Sequence, residues 1–225
     1  MDWTPVLISM KTAGISIFIT FFLGILAAWA VVRIESKNRR MICDGILTLP
    51  LVLPPTVMGF FLLSLFGVKR PLGSFFWECF GIKIAFSWLA TVLAAVVMSF
   101  PLMYRSARSA FEQIDSNLLA AARTLGMSEW RIFWKVQLPD AVPGIAGGGV
   151  LAFARGLGEF GATAMIAGNI AGKTRTLPMA IYSEVAAGNM DSAFQYVGII
   201  VAVALCSILL MNYGAFQAQK KRRRG

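Results

Sequence analysis

The chain has 225 residues, of which 57% are hydrophobic, with a mean hydropathy of +0.70 and a net charge of +10. That is far too apolar for a soluble domain of this length, and the sparse charges gather in a few intervals. Absence of histidine removes the commonest metal ligand and general base, and Cys43, Cys79 and Cys206 are too scattered for a disulfide framework or a metal site.

Residues 1–5 are too short and too poor in positive charge for a secretory leader, so the N-terminus is expected to be retained. The uncharged run that follows predicts a first membrane span at about 12–33. A short basic loop, 33–40, leads to a second span at 46–66. Pro50, Pro54, Pro55 and Gly59 make that span a broken helix. Freed carbonyls in such a helix need partners inside a bundle or a cavity, so the break is either a kink fixed by packing or the lining of a pathway. A mixed loop at 67–83 precedes a third uncharged span at 84–104, which continues as a polar helix towards Asp115.

Residues 115–139, DSNLLAAARTLGMSEWRIFWKVQLP, are a patterned polar interval between long apolar runs. Leu118, Ala122 and Leu125 fall at i, i+4, i+7 and predict a short helix with an apolar stripe. Gly126 suits the left-handed residue that ends it, and Ser128 suits the N-cap of a second helix. In that helix Trp130, Phe133 and Trp134 share one face and Arg131 and Lys135 another, and Leu138-Pro139 is expected to stop it. The unit is either a shaped knob offered to another protein or an amphipathic hairpin lying in the lipid interface.

The fourth span is expected at 142–165, with a small-residue face (Gly147, Gly148, Gly149, Gly156, Gly158, Gly161) that lets neighbouring backbones approach closely. It carries Arg155 and Glu159, four apart on one helix face. An ionisable residue in a span costs at least ~2.5 kcal/mol, so this pair faces the bundle interior, a partner or water. It either locks the helix to a neighbour as a neutralised pair, or gates a charged solute, with Arg155 meeting an oxyanion and Thr163 and Thr56 adding neutral donors. Residues 167–174 fit a relaxed phosphate-loop pattern, but Ala167 replaces the first glycine and the segment follows a membrane helix, so nucleotide binding there is rejected. Residues 174–178 read as a turn and the next ten as a short helix re-entering the bundle, before a fifth span at 194–214 and a basic tail at 220–224.

Lys and Arg sort by side. The 33–40 loop holds four, 105–135 five and the tail five, against six in the intervening segments. The positive-inside rule then puts 115–139 and the C-terminus in the cytoplasm and the N-terminus outside, a parity that five spans satisfy. The expected fold is all-α: one polytopic transmembrane domain over 1–225 with a cytoplasmic helix-turn-helix docking loop. No nucleophile-base pair, cofactor or metal is called for, and the positive charge is assigned to cytoplasmic loops rather than to nucleic acid.

Ala121-Ala122, Gly126, Val136 and Leu138-Pro139 resemble the EAA loop of ABC-importer permeases; Ala120 stands where that family usually has glutamate, and Val136 where it usually has isoleucine. The runs 49–59, 151–163, 168–170 and 174–182 look like the molybdate permease branch of that family. The resemblance implies a subunit of the bacterial or archaeal cytoplasmic membrane that pairs with a second copy of itself. It further implies two copies of a cytoplasmic ATP-binding subunit seated on Ala121, Ala122, Gly126, Leu138 and Pro139, and an extracytoplasmic protein delivering a tetrahedral oxyanion. Transport would proceed by alternating access, with Arg155, Glu159, Thr163, Pro54, Pro55 and Thr56 as candidates for the pathway or gate. A sulfate or tungstate permease of the same family and a non-transporting membrane scaffold are the alternatives.

Overall fold

A computed structural model describes residues 2–222 and is helical throughout its ordered elements. In chain order these are α1 (Thr4–Val32), α2 (Lys37–Val52), α3 (Pro55–Phe66), α4 (Pro71–Phe80), α5 (Trp88–Glu112), α6 (Ser116–Thr124), α7 (Glu129–Ile132), a π-helical segment (Phe133–Gln137), α8 (Leu138–Leu157), α9 (Gly161–Ile166), α10 (Leu177–Ala186) and α11 (Met190–Arg222). Of the expected basic tail, Arg223 and Arg224 lie outside the described residues.

α1 and α5 are the spine. In lipid the apolar side chains gain nothing from meeting each other, so helices associate through small and hydroxylated residues. α1 buries Thr12, Ser16, Thr20, Gly24 and Ala28 and leaves Phe18, Phe22 and Leu26 exposed. Thr12 and Thr91 share a hydrogen bond of 3.0 Å, and Thr20 and Ser99 one of 3.2 Å, so the two helices run parallel in fixed register. A Cβ placed on Gly24 would lie 2.6 Å from Met103 Cγ, which is why only glycine fits at their closest approach. α8 packs antiparallel to α5, with Gly144 against Ala110 and Gly156 facing Ala95.

Two spans are broken, each for a local reason. Pro54 and Pro55 lack N–H groups and force Leu53 into an extended conformation (ψ 141°), so α2 and α3 meet at a bend of 110°. The expected fourth span, 142–165, is interrupted at Gly158 to Phe160, and α9 starts afresh at Gly161. α1, α5 and α11 are long and apolar enough to cross a membrane alone, and the α2–α3 pair makes a fourth candidate. Elsewhere the structure is more helical than expected. The 67–83 loop holds α4 and the basic 33–40 loop already contains the start of α2, while α5 runs on past Tyr104 to Glu112 as the polar continuation expected of it.

Packing sorts the connections onto two ends. At one end, Arg108 pairs with Asp44 and, at 2.9 Å, with Glu112; Arg40 also pairs with Glu112, and the Tyr104 hydroxyl donates to Asp44 at 2.9 Å. At the other, Leu177 N–H donates to Ser9 Oγ at 2.6 Å and the Tyr196 hydroxyl to the Asp2 carbonyl at 2.8 Å. The first end carries the basic 33–40 loop and residues 113–137; the second carries α4 and the 167–189 connection.

Candidate functional site

Two regions hold the sequence candidates: the helical elbow at 115–139 and the pair of helix breaks around Glu159. In the elbow, the Asp115 carboxylate caps α6 by accepting from Asn117 N–H at 2.8 Å. Gly126 has φ +74°, the left-handed value expected of it, and closes α6 with its N–H on the Arg123 carbonyl. Ser128 caps α7, its Oγ accepting from Arg131 N–H at 3.4 Å. The turn is clamped by Glu129, whose carboxylate accepts from Arg123 Nε at 2.7 Å and sits 3.2 Å from Arg33 at the C-cap of α1. The Arg123 hydrogen bond, with Coulomb help from Arg123 and Arg33, holds the Glu129 carboxyl below the usual glutamate range against a smaller opposing effect of burial.

One expectation fails here. Leu138-Pro139 does not stop the second helix. The chain stays helical from Glu129 through the π-helical Phe133–Gln137 into α8, with Pro139 in the first turn of α8. The π segment re-spaces the ladder just where the proline withholds its N–H, so the helix continues instead of ending. The apolar stripe also behaves differently from expectation. Ala122 is buried, whereas Leu118 and Leu125 are exposed, Leu125 to 81%. Of the other docking candidates, Ala121, Gly126 and Pro139 are exposed and Leu138 packs on the core, so an approaching surface meets Leu118, Ala121, Leu125 and Gly126 at the elbow's tip.

The aromatic face is as the spacing predicts. Trp130, Phe133 and Trp134 cluster with ring centroids 5.2 to 5.8 Å apart, and Arg131 and Lys135 point to solvent. What they pack on was not legible. Trp29 of α1 lies 4.9 Å from Phe133 and 5.9 Å from Trp130, under the Arg33 guanidinium. Its indole N–H donates to the side-chain oxygen of buried Gln137 at 3.0 Å.

At the breaks, Arg155 Nη1 donates to Glu159 Oε2 at 2.6 Å, the i,i+4 contact expected. Glu159 is buried at 2% exposure, while the Arg155 side chain is 28% exposed. The other carboxylate oxygen accepts from Ala162 N–H at 2.8 Å, replacing the carbonyl that the break removes from the first turn of α9. Glu159 is thus a charge partner and a helix cap at once, the second role being one that spacing did not suggest. The α9 start abuts the α3 start: a Cβ on Gly161 would lie 2.9 Å from Pro55 Cβ and 3.3 Å from Thr56 N. The structure therefore brings Pro55 and Thr56 to the turn that follows Glu159. Thr163 is buried one turn into α9, and Pro54 is the exposed residue preceding α3. Arg155 keeps further N–H donors beyond the one given to Glu159, which is the chemistry an oxyanion needs.

The phosphate-loop lookalike folds on itself. Thr174 Oγ1 accepts from Ile170 N–H and donates to the Gly168 carbonyl, both at 3.0 Å, in a segment that follows α9.

Residues 20–223 match the family described as the binding-protein-dependent transport system inner membrane component. The chain is 44% identical to the molybdenum transport system permease protein ModB of Escherichia coli (strain K12), over 94% of this chain and 93% of that protein. It is 38% identical to ModB of Haemophilus influenzae over 100% of this chain and 98% of that one. In fold it resembles the MetNI methionine ABC transporter in its inward facing conformations, with a TM-score of 0.73 at 17% identity, covering 95% of this chain and 94% of that one.

Proposed function

The chain belongs to the family of binding-protein-dependent transport system inner membrane components, and on that premise we propose that it is the permease subunit of an ATP-driven oxyanion importer whose cargo is molybdate. The cargo follows the named relatives, which are molybdenum permeases over nearly the whole chain. The chain works as a homodimer with two copies of a cytoplasmic ATPase on its elbows and an extracytoplasmic binding protein on the opposite face. The end that carries the 33–40 loop and the elbow faces the cytoplasm, the N-terminus faces outward and the C-terminus inward; the concentration of Lys and Arg at that end supports this.

Alternating access then has a physical route. The ATPase dimer closes on nucleotide and draws two elbows together. Each elbow moves its α8, because Glu129 to Leu157 is one unbroken helical run, and this is the observation that carries the reading. α8 carries Arg155 in its last turn, beside the breaks where α3 and α9 meet. When those breaks part, Arg155 presents its remaining donors to the oxyanion, while Glu159 keeps the site neutral in its absence and caps α9. Two small-faced α8 helices near the two-fold axis frame the passage.

The test is reconstitution of the complex with its ATPase and binding protein in proteoliposomes, following uptake of molybdate, tungstate and sulfate. ATP-dependent molybdate uptake is expected. Preference for sulfate or tungstate would reassign the cargo within the same machine, and a purified complex without a nucleotide-hydrolysing companion would leave a membrane scaffold. Orientation is read from cysteines: exposed Cys79 on α4 should react with an impermeant maleimide from outside, and a Leu125→Cys variant in a Cys79→Ser background only after permeabilisation.

A further inference from the structure

We propose that Gln137 is a positioning residue of the transport cycle, which through Trp29 makes α1 move with the elbow. The inference rests on the importer reading above and adds a second path for the push delivered by the ATPase.

Gln137 ends the π-helical segment and is buried at 6% exposure, against the same Trp29 indole that Phe133 and Trp130 contact with their rings. A primary amide is an expensive side chain to place there unless it is hydrogen-bonded. Its oxygen accepts the Trp29 indole N–H at 3.0 Å, across 108 positions of sequence. Trp130, Phe133 and Gln137 follow one another at i, i+3, i+7, so one face of the elbow's second arm reads the indole from three sides. Arg33, at the C-cap of α1, covers the same ring at 4.5 Å and reaches Glu129 at 3.2 Å. Together these fasten the end of α1 to both the tip and the root of the elbow.

α1 in turn is held to α5 by the Thr12–Thr91 and Thr20–Ser99 hydrogen bonds. A displacement of the elbow therefore reaches α8 through the backbone and α1 and α5 through the Gln137–Trp29 bond. α3 and α9 sit beyond the two breaks, in a separate core of Leu62, Ala162 and Ile166 packed on the outer half of α5. The latch makes α1 and α8 swing as one against them. A structural role alone would need only that the region pack well.

Three variants separate these roles: Trp29→Phe, which keeps an aromatic ring and removes the donor; Gln137→Leu, which removes the acceptor; and the double variant, which leaves neither group unpaired. The measurement is molybdate translocated per ATP hydrolysed by the reconstituted complex, together with thermal stability and ATPase co-purification. Each single variant should lower the transport-to-hydrolysis ratio about fivefold, the size expected of one net hydrogen bond. The double variant should recover stability without recovering the ratio. A wild-type ratio in either single variant, or its return in the double variant, overturns the proposal. A wild-type complex with no ATP-driven uptake would instead sink the importer reading, a result obtained before any variant is made.

Discussion

Gly59 of α3 lies so close to Ala162 of α9 that a Cβ built on it would fall 2.8 Å from the Ala162 Cα and 2.7 Å from Met165 Cβ. The two broken spans therefore touch backbone to backbone. Gly59→Val should push α3 off α9 at a cost of about 1–3 kcal/mol. The expected outcome is a lower unfolding temperature in detergent together with loss of uptake. Gly45→Ala on α2, where nothing lies within 4 Å, should leave both unchanged. An unaltered melting temperature for Gly59→Val would mean the breaks are not packed together.

Gly126 is constrained in a different way. No atom lies within 4 Å of a Cβ placed there, so the obstacle to substitution is its φ of +74° alone. Valine should cost about 1–2 kcal/mol of local strain and unfold the turn without harming insertion, whereas asparagine visits that conformation with less strain. Membrane levels should be normal for both variants. ATPase stimulation by loaded binding protein should be lost with valine and largely kept with asparagine. Equal activity in the two would remove the elbow's geometry from the coupling.

Arg155 and Glu159 can be separated because Glu159 has two tasks. Glu159→Gln keeps an acceptor for Ala162 N–H while removing the charge, so α9 should stay capped and Arg155 should lose its counter-charge. Leaving the guanidinium uncompensated costs at least ~2.5 kcal/mol within a span, and assembly should fall. Adding Arg155→Met should restore assembly. Uptake that returns with it assigns the pair to structure; uptake that stays absent assigns Arg155 to the anion.

The clamp at the turn predicts a pH response. Glu129 is held below its usual value near 4.5, chiefly by the Arg123 hydrogen bond. A depressed folded-state pKa means the clamp's contribution is complete above the usual value and is lost as pH falls through the lowered one. Amide-exchange protection over 116–128, corrected for intrinsic rates, should be flat from neutral pH to about 4.5 and decline below it. In Glu129→Gln it should be lower at neutral pH and should decline less as the pH falls.

Much of the elbow was readable from neighbours in sequence, because its determinants are local: a left-handed glycine, a serine cap and an aromatic spacing of three and four. The Pro54-Pro55 break was readable for the same reason. The π segment was not, since nothing in FWKVQ demands it; it arises where Pro139 must join a helix that tertiary contacts keep continuous. Nor was the Trp29–Gln137 bond, whose partners lie 108 residues apart. In lipid, periodicity says little about which face is inside: α1 buries serines, threonines and glycine, and turns Phe18 and Phe22 outward. The cap on α9 hid within a charge pair that spacing alone had already explained.

The two hydroxyl pairs between α1 and α5 limit how this molecule can move at all. Thr12 with Thr91 and Thr20 with Ser99 are pegs in matched holes, eight residues apart on each rod. Sliding one rod past the other by a single residue, about 1.5 Å, would pull both pegs out together in a medium that offers no water to replace them. A piston stroke between these helices is thereby excluded, and any rearrangement of them must be a pivot that leaves the pegs seated.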